Sequence, residues 1–224
     1  MGTQTIRTSS KLSILTRRAK ITIGGSKMVK FFGKALAIVV VLAIATNVYA
    51  WGGQRKGFVI GFGLGGGYTT FTQTAEFMGM SETSDRENKF GLHTDFKIGY
   101  APSNQFLIYW MSNVNWFGIE NILGDNITIA NGVGGIGFSY YFSPADKSAY
   151  IRAGVGASTW MAPFDSDIDT WYGLGVVGGI GYEFAKHWSI EAIAMWSNPS
   201  YEELGIDFTT NAFSFAVTLN ILGY

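Results

Sequence analysis

The chain has no cysteine, four prolines and two histidines in 224 residues. Without cysteine there is no disulfide framework, no thiolate chemistry and no cysteine-held metal site. After residue 50 no continuous apolar run is long enough for a membrane helix, which needs about 20 residues. A basic face for nucleic acid is missing too. All sixteen acids fall after residue 50, with only eight of the sixteen basic residues, so that part carries a net charge of −8. The formal charge of zero for the whole chain averages two different objects.

The other eight basic residues lie in 1–50, with no acid among them. Lys30 and Lys34 precede an apolar run from Ala35 to Ala45, and Val48-Tyr49-Ala50 follows. Basic, apolar, then small-x-Ala is the order of a signal peptide, here cleaved after Ala50. The alternative is an uncleaved anchor helix. Met28 onward is already a complete signal sequence, so Met28 is read as the true start and 1–27 as a basic extension. Residues 51–224 then form one domain.

That domain is rich in glycine and aromatics, and its apolar residues recur with a period of two, a strand signal. Over Lys89–Tyr100, Phe90, Leu92, Thr94, Phe96, Ile98 and Tyr100 oppose Lys89, Gly91, His93, Asp95, Lys97 and Gly99. The same holds for Ile136–Phe142, Tyr172–Phe184 and Phe208–Tyr224. The pattern predicts eight strands, near 57–73, 88–100, 105–117, 127–142, 149–161, 171–184, 188–197 and 208–222. Short connections (101–104, 143–148, 185–187) alternate with long ones (74–87, 118–126, 162–170, 198–207). Large apolar residues alternate with Gly, Ala, Ser and charges, which suits lipid outside and a crowded lumen inside. A soluble barrel with an apolar interior is the alternative.

On these features the chain resembles the small eight-stranded outer-membrane β-barrels, the OmpA/OmpX-like group. The carriers are the Gly-aromatic strand Gly57–Tyr68, the segment Gly178–Phe184 and the terminal strand ending on Tyr224. The resemblance implies an all-β antiparallel transmembrane barrel in the outer membrane of a Gram-negative bacterium. It implies lipid and lipopolysaccharide around a monomer, and the barrel-assembly machinery as partner during biogenesis. It makes Tyr224 the assembly signal. The family's alternation back from that aromatic is out of phase here, since Asn220 and Thr218 do not fit; a bulge at Gly223 would restore it. The cell-wall-binding domain of longer members is absent, so no such tether is expected.

An eight-stranded lumen is just wide enough for side chains. Lys97, Arg152, Glu183 and Glu191 point inward near the short turns, with His93 and Asp95 higher on the second strand. Buried charges are costly unless paired, so these six are read as a lumen charge network, with Arg152 and Glu183 as a pair on neighbouring strands. A plugged lumen is the leading reading; a gated narrow channel for small or apolar solutes is the other.

Catalysis is not expected. Trp196-Ser197-Asn198 resembles the His-Ser-Asn run of the lipid A deacylases, but tryptophan stands where the base belongs, and a serine nucleophile needs an adjacent base. His187 falls at the opposite end from Ser197, and no serine is tied to His93. Trp196 is read instead as an interfacial girdle aromatic, with Trp110, Trp116, Trp160, Trp171 and Trp188. Twelve of the sixteen acids lie in the long connections. Asp165, Asp167 and Asp169 have the spacing of the start of a calcium loop, without its glycine and closing glutamate; they are a candidate divalent-cation loop, the alternative being a solvated loop. No cofactor is expected. The expected role is structural or surface-interacting.

Overall fold

The computed structural model describes residues 54–120, 126–165 and 168–224. The leader expected over 1–50, Asp125 and Asp167 lie outside the described residues. The strands are β1 (Gly57–Phe77), β2 (Met80–Thr83), β3 (Glu87–Ala101), β4 (Phe106–Glu120), β5 (Asn126–Tyr141), β6 (Ala149–Met161), β7 (Trp171–Ala185), β8 (Trp188–Glu203) and β9 (Ile206–Gly223). With β2 set aside, each strand pairs with the next in one antiparallel meander, and β1 pairs with β9, so eight strands close into a ring. Closure pairs the backbone polar groups of every strand, a requirement for any sheet that crosses hydrocarbon.

The ring matches the eight strands read from the sequence; two connections do not match. β2 stands outside the ring and pairs with β1 from Thr74–Thr83 to Phe77–Met80, within a stretch expected to be loop. The connection expected over 198–207 is likewise a strand ribbon that turns at Leu204 and Gly205. Both ribbons leave the barrel, and beyond Pro199 no residue of either is buried. The backbone still pairs there, but side chains no longer alternate, so the period-two signal fades.

The wall has the polarity of a transmembrane barrel. Phe62, Leu92, Trp110, Ile136, Leu174, Ile190 and Phe215 stand exposed on the outside. Lys97, Asn113, Asn131, Arg152, Glu191 and Thr218 are buried inside. A soluble barrel would reverse this, so that alternative fails.

Glycine lets large side chains lie flat against the inner wall. A Cβ on Gly181 would sit 2.3 Å from Cζ of Tyr150, and one on Gly137 would sit 2.7 Å from the Tyr109 ring. The inward glycines are therefore filled rather than leaving a pore.

The C-terminal strand departs from expectation. β9 pairs with β1 in one unbroken register from Glu76–Asp207 to Ile60–Gly223, so no bulge forms at Gly223. Leu222 and Tyr224 continue the inward set and are buried. The strand's own alternation carries Tyr224 into the base of the barrel, not toward lipid. A bulge does occur at the short turn between β7 and β8, between Glu183 and Ala185.

Candidate functional site

The lumen is filled in layers, and its charged layer lies between β3, β6 and β8. Asp95 and Lys97 alternate inward on β3, Arg152 on β6 and Glu191 on β8. Arg152 Nη1 donates to Asp95 Oδ2 at 2.7 Å and to Glu191 Oε2 at 2.6 Å. Lys97 Nζ lies 3.0 Å from the same Asp95 oxygen and also donates to Glu191 Oε1. Tyr150 donates its hydroxyl to Glu191 at 2.6 Å, and its oxygen lies 2.9 Å from Ser189 Oγ. Two cations and two anions make the layer neutral. That neutrality is what allows four charges to sit where fewer than one in ten parts of each residue's surface meets solvent.

Toward the long-loop end lies a transverse chain of polar groups. His93 Nδ1 and Asn115 Oδ1 are 2.5 Å apart. Asn115 Nδ2 donates to Thr69 Oγ1 at 3.0 Å, and Thr69 meets Ser214 Oγ at 2.9 Å. Asn131 donates from Nδ2 to Ser214 Oγ at 3.3 Å and accepts at Oδ1 from Ser197 Oγ at 2.9 Å. His93 and Ser197 thus share one chain but stand at opposite ends of it, with four residues between them. His187 sits in the short turn after β7, its Nδ1 2.8 Å from the Leu222 carbonyl. Ser197 therefore has an amide beside it where a nucleophile would need a base.

The short-turn end is closed by a group absent from the sequence reading. Arg55, just ahead of β1, donates from Nε to Glu183 Oε2 at 2.9 Å. Its remaining nitrogens reach the carbonyls of Asn104 and Ser143 at 3.1 Å and of Ala145 at 2.8 Å, and it lies 4.1 Å over the Tyr141 ring. Tyr224 donates to Glu183 Oε1 at 3.1 Å and packs on His187. The expected Arg152–Glu183 pair does not form. In the β6–β7 register Arg152 faces Gly179, four residues from Glu183, a separation of about 13 Å along a strand. Arg55 precedes the first strand and shows no periodicity, so alternation could not find it. The available clue was a buried-facing Glu183 with no partner at its own level.

At the other end Phe71, Phe117 and Trp160 pack together, with ring centroids 4.8–6.0 Å apart, and Ile129, Ala162 and Ala212 complete the cluster. This corrects the girdle. Trp110 and Trp188 are exposed on the outer wall, and Trp116 and Trp196 share that outward face. Trp160 is buried in the lumen, and Trp171 faces the same way, packed against this cluster. Parity gives the reason: Trp160 lies eight residues after Arg152, and Trp171 twelve before Glu183, so each shares a face with an inward charge.

Between charged layer and base a cavity of about 10 Å³, the size of one water, is lined by Lys97, Ser139, Tyr150, Ser189, Glu191 and Asn220. In the loops, Asp169 accepts from Tyr201 Oη at 2.8 Å. Asp165 follows the turn after Ala162, its amide donating to the Ala162 carbonyl at 3.1 Å. With Asp167 undescribed, the aspartate trio cannot be drawn as a ligand set; among the described residues no three His, Asp or Glu converge as a metal site.

No family model and no curated protein matches the chain. Similar solved structures include the outer membrane protein OprG from Pseudomonas aeruginosa, at 11% identity and a TM-score of 0.43, covering 77% of this chain and 98% of that one. Neisserial surface protein A is similar at 14% identity and a TM-score of 0.43, covering 75% and 97%. The attachment invasion locus protein Ail of Yersinia pestis is similar at 12% and 0.37, covering 74% and 99%. The barrel itself stands on the strand pairing of this chain.

Proposed function

We propose that the protein is a non-catalytic barrel of a Gram-negative outer membrane, sealed along its axis, whose role is structural or lies in contacts made at the long-loop end. The observation that carries this reading is the neutral four-charge layer, which spans the lumen with every charge paired. The aromatic cluster above it and the Arg55–Glu183 clasp below it support the same reading. The amide beside Ser197 supports a non-catalytic role. In this reading lipid and lipopolysaccharide surround the outer wall, and the long loops face outward.

The second reading is a narrow pathway for small solutes. It is favoured by the water-sized cavity against Lys97 and Glu191, which leaves room for one small molecule next to the charged layer. Conductance of the refolded protein in a planar bilayer separates the two. A sealed barrel gives no discrete steps from a sample shown to be folded. Steps that change on substitution of Glu191 or Arg152 would replace it with the pathway.

A further inference from the structure

Two tight hairpins at the long-loop end carry the wrong side chains for their backbones. Met78–Gly79 joins Phe77 to its partner Met80, and Leu204–Gly205 joins Glu203 to Ile206. Both residues of each turn have positive φ: 49° and 78° in the first, 54° and 77° in the second. Two such residues in a two-residue hairpin make a type I′ turn, whose first position favours Asn, Asp or Gly. A large apolar residue there is strained, because its Cβ crowds the backbone. It is also poorly placed for water, and Met78 is 84% and Leu204 85% exposed. A third apolar side chain, Phe164, is 82% exposed in the connection between β6 and β7.

His187 supplies the contrast. It too is left-handed, with φ at 71°, but its ring is buried against Tyr224 and bonded to the Leu222 carbonyl. The fold accounts for that residue. At Met78 and Leu204 the same backbone conformation presents an apolar group to solvent, and folding gains nothing from it. Lys147, in a short turn at the other end, is left-handed too, with φ at 63°, but it presents a charged group to water; among the described residues the apolar pairing occurs at the two ribbon tips, and there it points to use.

Charge limits what that use can be. The stems below the tips hold Glu76 and Glu82 on one ribbon and Glu202, Glu203 and Asp207 on the other. Such stems repel a second copy approaching tip to tip, and they repel an anionic lipid surface. They attract a basic one. We propose that Met78 and Leu204 are apolar anchors for a cationic amphipathic partner, a Lys- or Arg-rich peptide or protein surface bearing its own apolar side chains. The anchors supply desolvated contact, and the stem carboxylates steer the approach. This deepens the reading that the long-loop end carries surface contacts, and it does not depend on the lumen being sealed.

The test uses the whole protein in phosphatidylcholine nanodiscs and a labelled peptide of alternating Lys and Leu, with empty nanodiscs as the reference. A Lys-Ser peptide of equal length and charge is the control. The Lys-Leu peptide is expected to bind about tenfold tighter or more than the control. The double variant Met78→Asn, Leu204→Asn should lose that margin while its melting temperature stays level or rises, because Asn is the better type I′ residue. Glu82→Gln with Glu202→Gln should slow association of both peptides and flatten its salt dependence. Equal affinity for the two peptides, or a double variant that binds as tightly as the parent, would overturn the proposal. So would binding of phosphatidylglycerol vesicles that disappears in the double variant, which would assign the tips to lipid. A conducting lumen would leave this proposal untouched, so its failure and that of the sealed barrel are separable.

Discussion

Arg55 and Tyr224, near opposite ends of the described chain, hold the two oxygens of one carboxylate: Arg55 Nε meets Glu183 Oε2 at 2.9 Å and Tyr224 Oη meets Oε1 at 3.1 Å. Glu183 lies on β7, whereas the residues it binds flank β1 and β9. The clasp therefore ties the closing seam at the base to β7, two strands round the ring from β9. Removing the carboxylate strands a buried guanidinium. Glu183→Ala should lower stability by about 3–5 kcal/mol. Arg55→Ala should cost a similar amount, and Arg55→Ala with Glu183→Ala less than the sum. Urea midpoints of the refolded protein measure all three, and additive costs would tell against the clasp.

Tyr224→Phe isolates the hydroxyl. The ring can stay on His187 while one hydrogen bond to a charged group is lost, a cost of about 1.5–3 kcal/mol. An unchanged midpoint would mean that Arg55 alone satisfies Glu183.

In the charged layer, neutrality is the quantity to perturb. Glu191→Gln leaves Lys97 and Arg152 sharing Asp95, and Lys97→Met leaves an excess anion. Each should cost about 3–5 kcal/mol. The double variant restores charge balance, so a double-mutant cycle should return a coupling of about 0.5–3 kcal/mol in its favour. A coupling of zero would mean that water already screens the layer.

Trp160 and Trp110 make a matched pair, one inside the barrel and one outside. Trp160→Ala removes the centre of the aromatic cluster and should cost about 3–5 kcal/mol. Trp110→Ala trades lipid contact for lipid contact and should cost much less. If the order were reversed in chemical denaturation from vesicles, the inward assignment of Trp160 would fall.

How far alternation can be read depends on what lies on each side of the wall. Along β3, β7 and β9 lipid and lumen differ sharply, so inward and outward sets such as Asp95 and Phe96 could be assigned residue by residue. Around Thr74–Glu87 water lies on both sides, and β2 left no periodic trace. Parity also settles which face a residue takes but not its height on a neighbouring strand, which is why Arg152 and Glu183 looked like partners. Trp160 and Trp171 are set on the girdle for the opposite reason. Their parity already put them inside, and a general preference of aromatics for interfaces was allowed to override it. Arg55 lies ahead of any strand, where neither rule applies.

The borders between strands are unequal. The β1–β9 border is paired from Ile60–Gly223 to Glu76–Asp207, the β3–β4 border only from Leu92–Trp116 to Tyr100–Ile108. Amide protons on the first should be the slowest to trade with deuterium, those on the second the quickest. The place where the chain bites its own tail is thus the strongest stave joint of the cask, and a lateral leak would start a quarter-turn away, beside His93 and Asn115.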